Sequence, residues 1–153
     1  MPQLVKGGKY VYGWSKVSHT GKIVIPHEAV EEYNLAAAEK VILIPGSKRS
    51  GGFGLTTVER LQRSVVAGRV NESPLADFHI PEGEITEING TPYCWVRLCD
   101  ESITVPEKTL KRYQINPGDW ILSVRGSNLA IGFPVRGPII EEAKKHSEIE
   151  VFE

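Results

Sequence analysis

The stretch "GSKRSGGFG", residues 46–54, sets two bases, Lys48 and Arg49, among serines and spaced glycines. Glycines let a backbone close around a phosphate, but a phosphate loop also needs a Gly-Lys-Ser/Thr end and a helix opening directly after it. Neither follows, so the stretch reads as a flexible basic tip able to touch a DNA backbone or as a solvated hairpin turn. The four histidines (19, 27, 79 and 146) are scattered and have no metal-ligand spacing to one another or to Cys94 and Cys99. In "CWVRLC" the cysteines stand an odd number of residues apart, which on a strand sends them to opposite faces and argues against a local disulfide. His19 beside Ser18, and Asp100 beside Cys99, are turn neighbours rather than a nucleophile with its base. Tyr12, Trp14, Tyr93 and Trp95 offer either stacking surfaces for single strands or packing on a core face. No catalytic constellation, metal site or cofactor site emerges, and the chain is not expected to be an enzyme.

The length of 153 residues suits one domain, or two small units sharing a core. A hydrophobic content of 41% with 24% charged residues belongs to a globular chain rather than a disordered one. A net charge of −1 supplies no overall field for nucleic acid or an acidic membrane, so any such binding needs a local basic patch. Fifteen glycines and ten prolines imply many turns and short elements, hence a mainly β chain. The opening "MPQLVKGGKYVYGW" lacks the pattern of a signal peptide, and no run approaches the roughly 18 apolar residues of a membrane span. The expectation is a cytoplasmic, thiol-reduced, metal-free protein without a membrane partner.

The elements that would position these side chains occur twice. "GKIVIPHEAVEEYNL" (21–35) is matched by "ESITVPEKTLKRYQI" (101–115), so that Ile23, Pro26, Tyr33 and Gly46 meet Ile103, Pro106, Tyr113 and Gly126, each 80 residues on. Upstream, "YGWSKV" matches "YCWVRL" with one residue fewer in the second copy. Each copy reads as a Trp-bearing strand, a turn, a second strand, and a proline at the first turn of a short helix. Val30 with Tyr33, and Leu110 with Tyr113, form the inward stripe. The polar turns "AAAEK" and "NPGDW" follow, then a hairpin. Thr56 with Glu59 has the pattern of a capping box opening a helix through "VERLQRSVV". "EITEINGTPYCW" is a hairpin with an Asn-Gly turn. "PIIEEAKKH" is a helix, and "EIEVF" is a closing strand that leaves room for assembly by edge pairing. The expected organisation is one globular unit over 1–153, with repeat 1 at 4–66, a connector at 67–83 and repeat 2 at 84–153.

"KVSHTGKIVIPHEAV" resembles the swapped-hairpin DNA-binding domain of the AbrB, MazE and SpoVT proteins. The resemblance is carried by Val17, Gly21, Lys22, Ile23, Ile25, Pro26, Leu35 and Val41, and the second copy keeps it best in "ITVPEKTLKRYQINPGDWILSV". That copy lacks the Gly-basic turn, offering Glu101 and Ser102 instead. Tandem copies at this length are also similar to MraZ-type proteins, whose Asp-rich, Arg-containing signature neither "SHTGK" nor "CDESI" supplies. The resemblance implies an AbrB-like β-barrel with pseudo-twofold symmetry, built by the two copies within one chain, plus peripheral helices. It implies a transcription regulator that contacts duplex DNA through Lys16, Lys22, Arg97, Lys111 and Arg112, joined by Lys48 and Arg49 at the hairpin tip. The alternative on the same fold is an antitoxin-like or other protein-interaction module, with a protein partner or a homo-oligomer in place of DNA. Near a pseudo-axis, Glu31 and Glu32 would face Lys111 and Arg112, so that copy 1 pairs with copy 2 rather than with another copy 1.

Overall fold

The computed structural model describes residues 10–63, 78–126 and 129–153. The first copy forms β1 (Val11–Lys16), β2 (Lys22–Val24), α1 (His27–Glu32), α2 (Leu35–Ala38), β3 (Lys40–Pro45), β4 (Phe53–Thr56) and α3 (Val58–Gln62). The second forms β5 (Thr86–Ile88), β6 (Thr91–Arg97), β7 (Ser102–Thr104), α4 (Glu107–Arg112), β8 (Trp120–Val124), β9 (Ile131–Phe133), α5 (Pro138–Ala143) and β10 (Val151–Phe152). The chain is mainly β with short helices. No described helix is long and apolar enough to cross a membrane.

Local chemistry accounts for most of these boundaries. Pro26 and Pro106 are the N-caps of α1 and α4, one residue before the helical turn itself. Their φ of −54° and −56° with extended ψ lead a strand directly into a helix. The inward stripes are buried as expected, Val30 with Tyr33 in one copy and Leu110 with Tyr113 in the other, and Ala29 and Thr109 are buried beside them. Where a polar turn was expected at "AAAEK", the alanines form α2, as befits the strongest helix former. The cap of α3 also differs from the sequence pattern. Thr57, not Thr56, accepts the Arg60 N–H, because Thr56 ends β4 and its hydroxyl donates to the Leu129 carbonyl. Asn89 and Gly90 take the positive φ of the Asn-Gly hairpin turn. The expected continuation of α3 through 64–66 and the connector over 67–77 lie outside the described residues.

Eight strands form one mixed sheet in the order β10-β1-β8-β9-β4-β3-β6-β5, and β2 pairs with β7 apart from it. The ladder is open, with β10 and β5 as its edges. Three of its central pairings, β1·β8, β9·β4 and β3·β6, run between the copies, while β8·β9 and β3·β4 are hairpins within one copy. Trp14 opposite Leu122 in β1·β8 recurs as Trp95 opposite Ile42 in β6·β3. Phe53 faces Phe133 in β4·β9, and Ile23 faces Ile103 in β2·β7, each residue opposite its own counterpart 80 positions away. The turns are linked in the same way: Ile25 N–H donates to Glu101 O, and Val105 N–H donates to Gly21 O. A Cβ on Gly21 would run into the Val105 carbonyl, and its φ is +85°. Glu101 keeps that left-handed conformation at φ +61° without being glycine. The second turn therefore retains its shape although its Gly-basic pair is gone.

The main core draws on both copies, with Ile23, Ile25, Tyr33, Leu35 and Phe53 beside Ile103, Val105, Tyr113, Ile115 and Phe133. The Phe53 and Phe133 rings stack at 4.8 Å, and the Tyr113 hydroxyl donates to Pro92 O at 2.9 Å. Two smaller clusters form around Trp14 and Trp95. One includes residues of α5 and the other Leu61 of α3. Truncating Phe53 or Phe133 to alanine should cost about 3–5 kcal/mol each in urea unfolding. The double variant should cost less than the sum, since the two rings stack on each other. Strict additivity would contradict that contact.

Candidate nucleic-acid interface

The seven bases named from the sequence fall into three groups. Lys16 ends β1 and Lys22 opens β2; both are exposed, and neither makes an ion pair among the described residues. The turn between them is held by Ser18, whose hydroxyl accepts the Lys22 N–H at 2.9 Å and the Thr20 N–H at 3.3 Å. Lys16 lies opposite Trp120 in the ladder, and its ammonium is 5.6 Å from a Trp120 ring centroid.

The second group is tied to acids. Arg97 pairs with Glu82 at 3.5 Å, and Glu82 also accepts the Arg97 backbone N–H at 2.8 Å, so the acid is anchored there. Lys111 pairs with Glu107 at 3.7 Å, and Arg112 with Glu87 at 2.7 Å. In the third group, Lys48 and Arg49 project from the tip joining β3 to β4. That tip is pinned rather than loose: Arg136 donates to the Lys48 carbonyl, and the Val135 and Arg136 N–H groups donate to the Ser50 carbonyl. Lys40, at the start of β3, faces Arg97, and the tip follows Pro45. The tip thus lies about 17 Å along the strand from Arg97, and the structure does not gather all seven bases in one patch.

The expected facing of Glu31 and Glu32 with Lys111 and Arg112 is replaced by other partners. Glu31 pairs with His27 on its own helix at 2.9 Å. Glu32 receives two hydrogen bonds from Arg125, at 2.9 and 2.6 Å, which does join the first copy to the second. The difference arises from reach: Arg125 follows β8, which pairs with β1, and so arrives beside α1. The Arg125 guanidinium holds the Glu32 carboxyl below its usual value of 4.5. The buried Tyr12 hydroxyl lies beside this pair, short of hydrogen-bond geometry, and burial raises its pKa. Cys94 is buried and Cys99 exposed, both free, and burial pushes the Cys94 thiol up to about 12.

Across the β2·β7 pair, His27 Nδ1 meets the Glu101 carboxylate while Nε2 meets Glu31. Glu101, then Glu31, hold the imidazole pKa above its usual 6.5. Sequence reasoning missed three residues here: Trp120, Lys40 and Arg125. The first two were within reach of the 80-residue alignment, which sets the exposed Trp120 against Lys40. Arg125 carried no local signal. Comparison of the chain with protein-family models, with curated proteins and with solved structures gives no match.

Because its folded-state pKa is raised, the His27 contact stabilises fully below pH 6.5 and is lost as pH climbs through the folded value. Imidazole NMR titration should give a midpoint above 6.5, moved back toward it in Glu101→Gln. A wild-type midpoint at or below 6.5 would contradict the pairing. Glu32 has the opposite sign: its contribution is present above 4.5 and lost as pH falls through the lower folded value. Arg125→Met should therefore cost about 0.2–1 kcal/mol near neutrality, with the difference from wild type narrowing in acid unfolding experiments below pH 4.5.

Proposed function

We propose that the chain is a DNA-binding regulator of the AbrB/SpoVT type, in which two tandem swapped-hairpin copies complete one barrel-like core about a pseudo-twofold axis. The register supports the architectural part. A twofold axis sets equivalent residues face to face, as Ile23 stands to Ile103 and Phe53 to Phe133, and it repeats the β1·β8 ladder as β6·β3. The observation that carries the functional part is the pair Lys16 and Lys22, exposed and without acid partners among the described residues, on either side of a turn braced by Ser18. Two unpaired ammonium groups on a rigid turn suit backbone phosphates. Binding is asymmetric, because the equivalent Arg97 is engaged by Glu82 and the second turn carries Asp100 and Glu101. The free cysteines fit action in the reducing cytoplasm.

A second reading, a protein-interaction or antitoxin-like module on the same fold, is favoured by one observation: Arg97, Lys111 and Arg112 each carry a carboxylate partner. Exposed ion pairs contribute only about 0–1 kcal/mol, so phosphates can still compete for these bases at low salt. Duplex-DNA titration at two salt concentrations separates the readings. If Lys16 and Lys22 alone contact phosphate, log K against log salt should have a slope of about −2. The double variant Lys16→Gln, Lys22→Gln should then abolish measurable binding. No binding by the wild type at low salt would remove the regulator reading and leave the interaction module.

A further inference from the structure

The two halves of the sheet finish one equivalent cross-strand pair differently, Lys40 opposite Arg97 in one and Trp120 opposite Lys16 in the other. On the β6 side, Trp95 is only 5% exposed. Phe78 lies edge-on to it at 5.3 Å, its indole N–H donates to Ile80 O at 2.7 Å, and the Lys40 ammonium sits over both rings. Lys40 faces Arg97 there, just as Trp120 faces Lys16 in β8·β1. On that other side Trp120 is 47% exposed, the most exposed large hydrophobic side chain among the described residues. Its neighbour Asp119 turns its carboxylate to the Asn116 N–H at 2.8 Å, inside its own turn. Of the two halves, the one with unpaired lysines is therefore also the one with an uncovered indole.

We infer that Trp120 is a stacking platform for an unpaired nucleic-acid base, with Lys16 and Lys22 holding the neighbouring phosphates. The preferred target is then single-stranded or locally opened DNA rather than a continuous duplex. This deepens the DNA-binding reading and rests on it. A base offers its π-face only when it has left the duplex stack, and stacking on an aromatic ring tolerates any base. The Lys16 contact with the indole is of the weak, exposed cation–π kind. A phosphate can draw the ammonium away and free the ring. That phosphate meets the Lys16 and Lys22 ammonium groups without displacing an acid, since neither has an acid partner among the described residues.

The test uses the full chain and a fluorescein-labelled thymidine homopolymer, with a duplex of the same length as the second probe, both followed by anisotropy at low salt. The single strand should bind more tightly than the duplex. In Trp120→Ala the ratio of single-strand to duplex affinity should fall about 5- to 100-fold, and Trp120→Phe should restore most of it. A ratio unchanged in Trp120→Ala, or a duplex bound as tightly as the single strand, overturns the stacking inference alone, provided that Lys16→Gln, Lys22→Gln still abolishes duplex binding. If neither probe binds the wild type at low salt, the stacking inference and the DNA-binding reading fall together. Trp120 is exposed, so its replacement leaves the core intact, and near-ultraviolet circular dichroism of the variant should match the wild type outside the indole bands.

Discussion

Most strands of one copy find a hydrogen-bonding partner in the other. β1 has β8 beside it, β6 has β3, and β4 meets β9 at the centre of the sheet. Half a chain of this size, with Gly-rich hairpins and two-turn helices, buries too little surface to satisfy its own edges. Pairing across the copies gives β1, β3, β4, β6, β8 and β9 each a neighbour from the other copy and brings both sets of inward residues into one core. The aromatic stack of Phe53 on Phe133, the buried Tyr33 and Tyr113, and the braced turns at 17–22 and 98–102 all follow from those ladders. At the outer edges the two copies are finished differently. β1 is covered by β10, a parallel strand from the far end of the chain, whereas β6 is covered by β5 through a tight antiparallel hairpin.

On this repeated backbone the side chains have diverged. Glu101 occupies the left-handed position that Gly21 holds in the other copy, a conformation that costs an L-residue on the order of 1 kcal/mol, and its carboxylate reaches His27 across the β2·β7 pair. Arg97 is held by Glu82, while its counterpart Lys16 is not held by any acid among the described residues. Trp120 is open to solvent, while its counterpart Lys40 lies over the Phe78 and Trp95 rings. The proposed nucleic-acid site therefore belongs to one end of the molecule. It arises where the second copy supplies Trp120 and the first supplies the lysines.

Much of the fold was legible because it depends on local chemistry and on repetition. The Asn89–Gly90 turn, the buried stripe at Val30 and Tyr33, and the recurrence of strand, proline and helix are all written in short windows. What escaped depends on partners distant in sequence. Thr56 fits a capping pattern, yet the Leu129 carbonyl takes its hydroxyl and passes the cap to Thr57. Glu32 looked toward Arg112 by symmetry, but Arg125 is brought to it by the β1·β8 ladder. For the site, the bases could be named from the resemblance; which of them remain unpaired could not, because Glu82, Glu87 and Glu107 have no signature in sequence. The exposure of Trp120 was legible only through its alignment with Lys40, a residue type that keeps its charged end in solvent.

Native-state hydrogen exchange on the intact chain tests most directly whether the two copies form one cooperative unit. The amides of Val17 and Ile25 donate to Asp119 and Glu101, and those of Leu98 and Val105 donate to Glu39 and Gly21. If each copy depends on the other, these four amides exchange only through a shared opening, with the same free energy and the same denaturant dependence. If instead Val17 and Ile25 exchange through an opening that leaves 91–133 protected, or the reverse, the copies are separable and the account of a core completed between them is wrong.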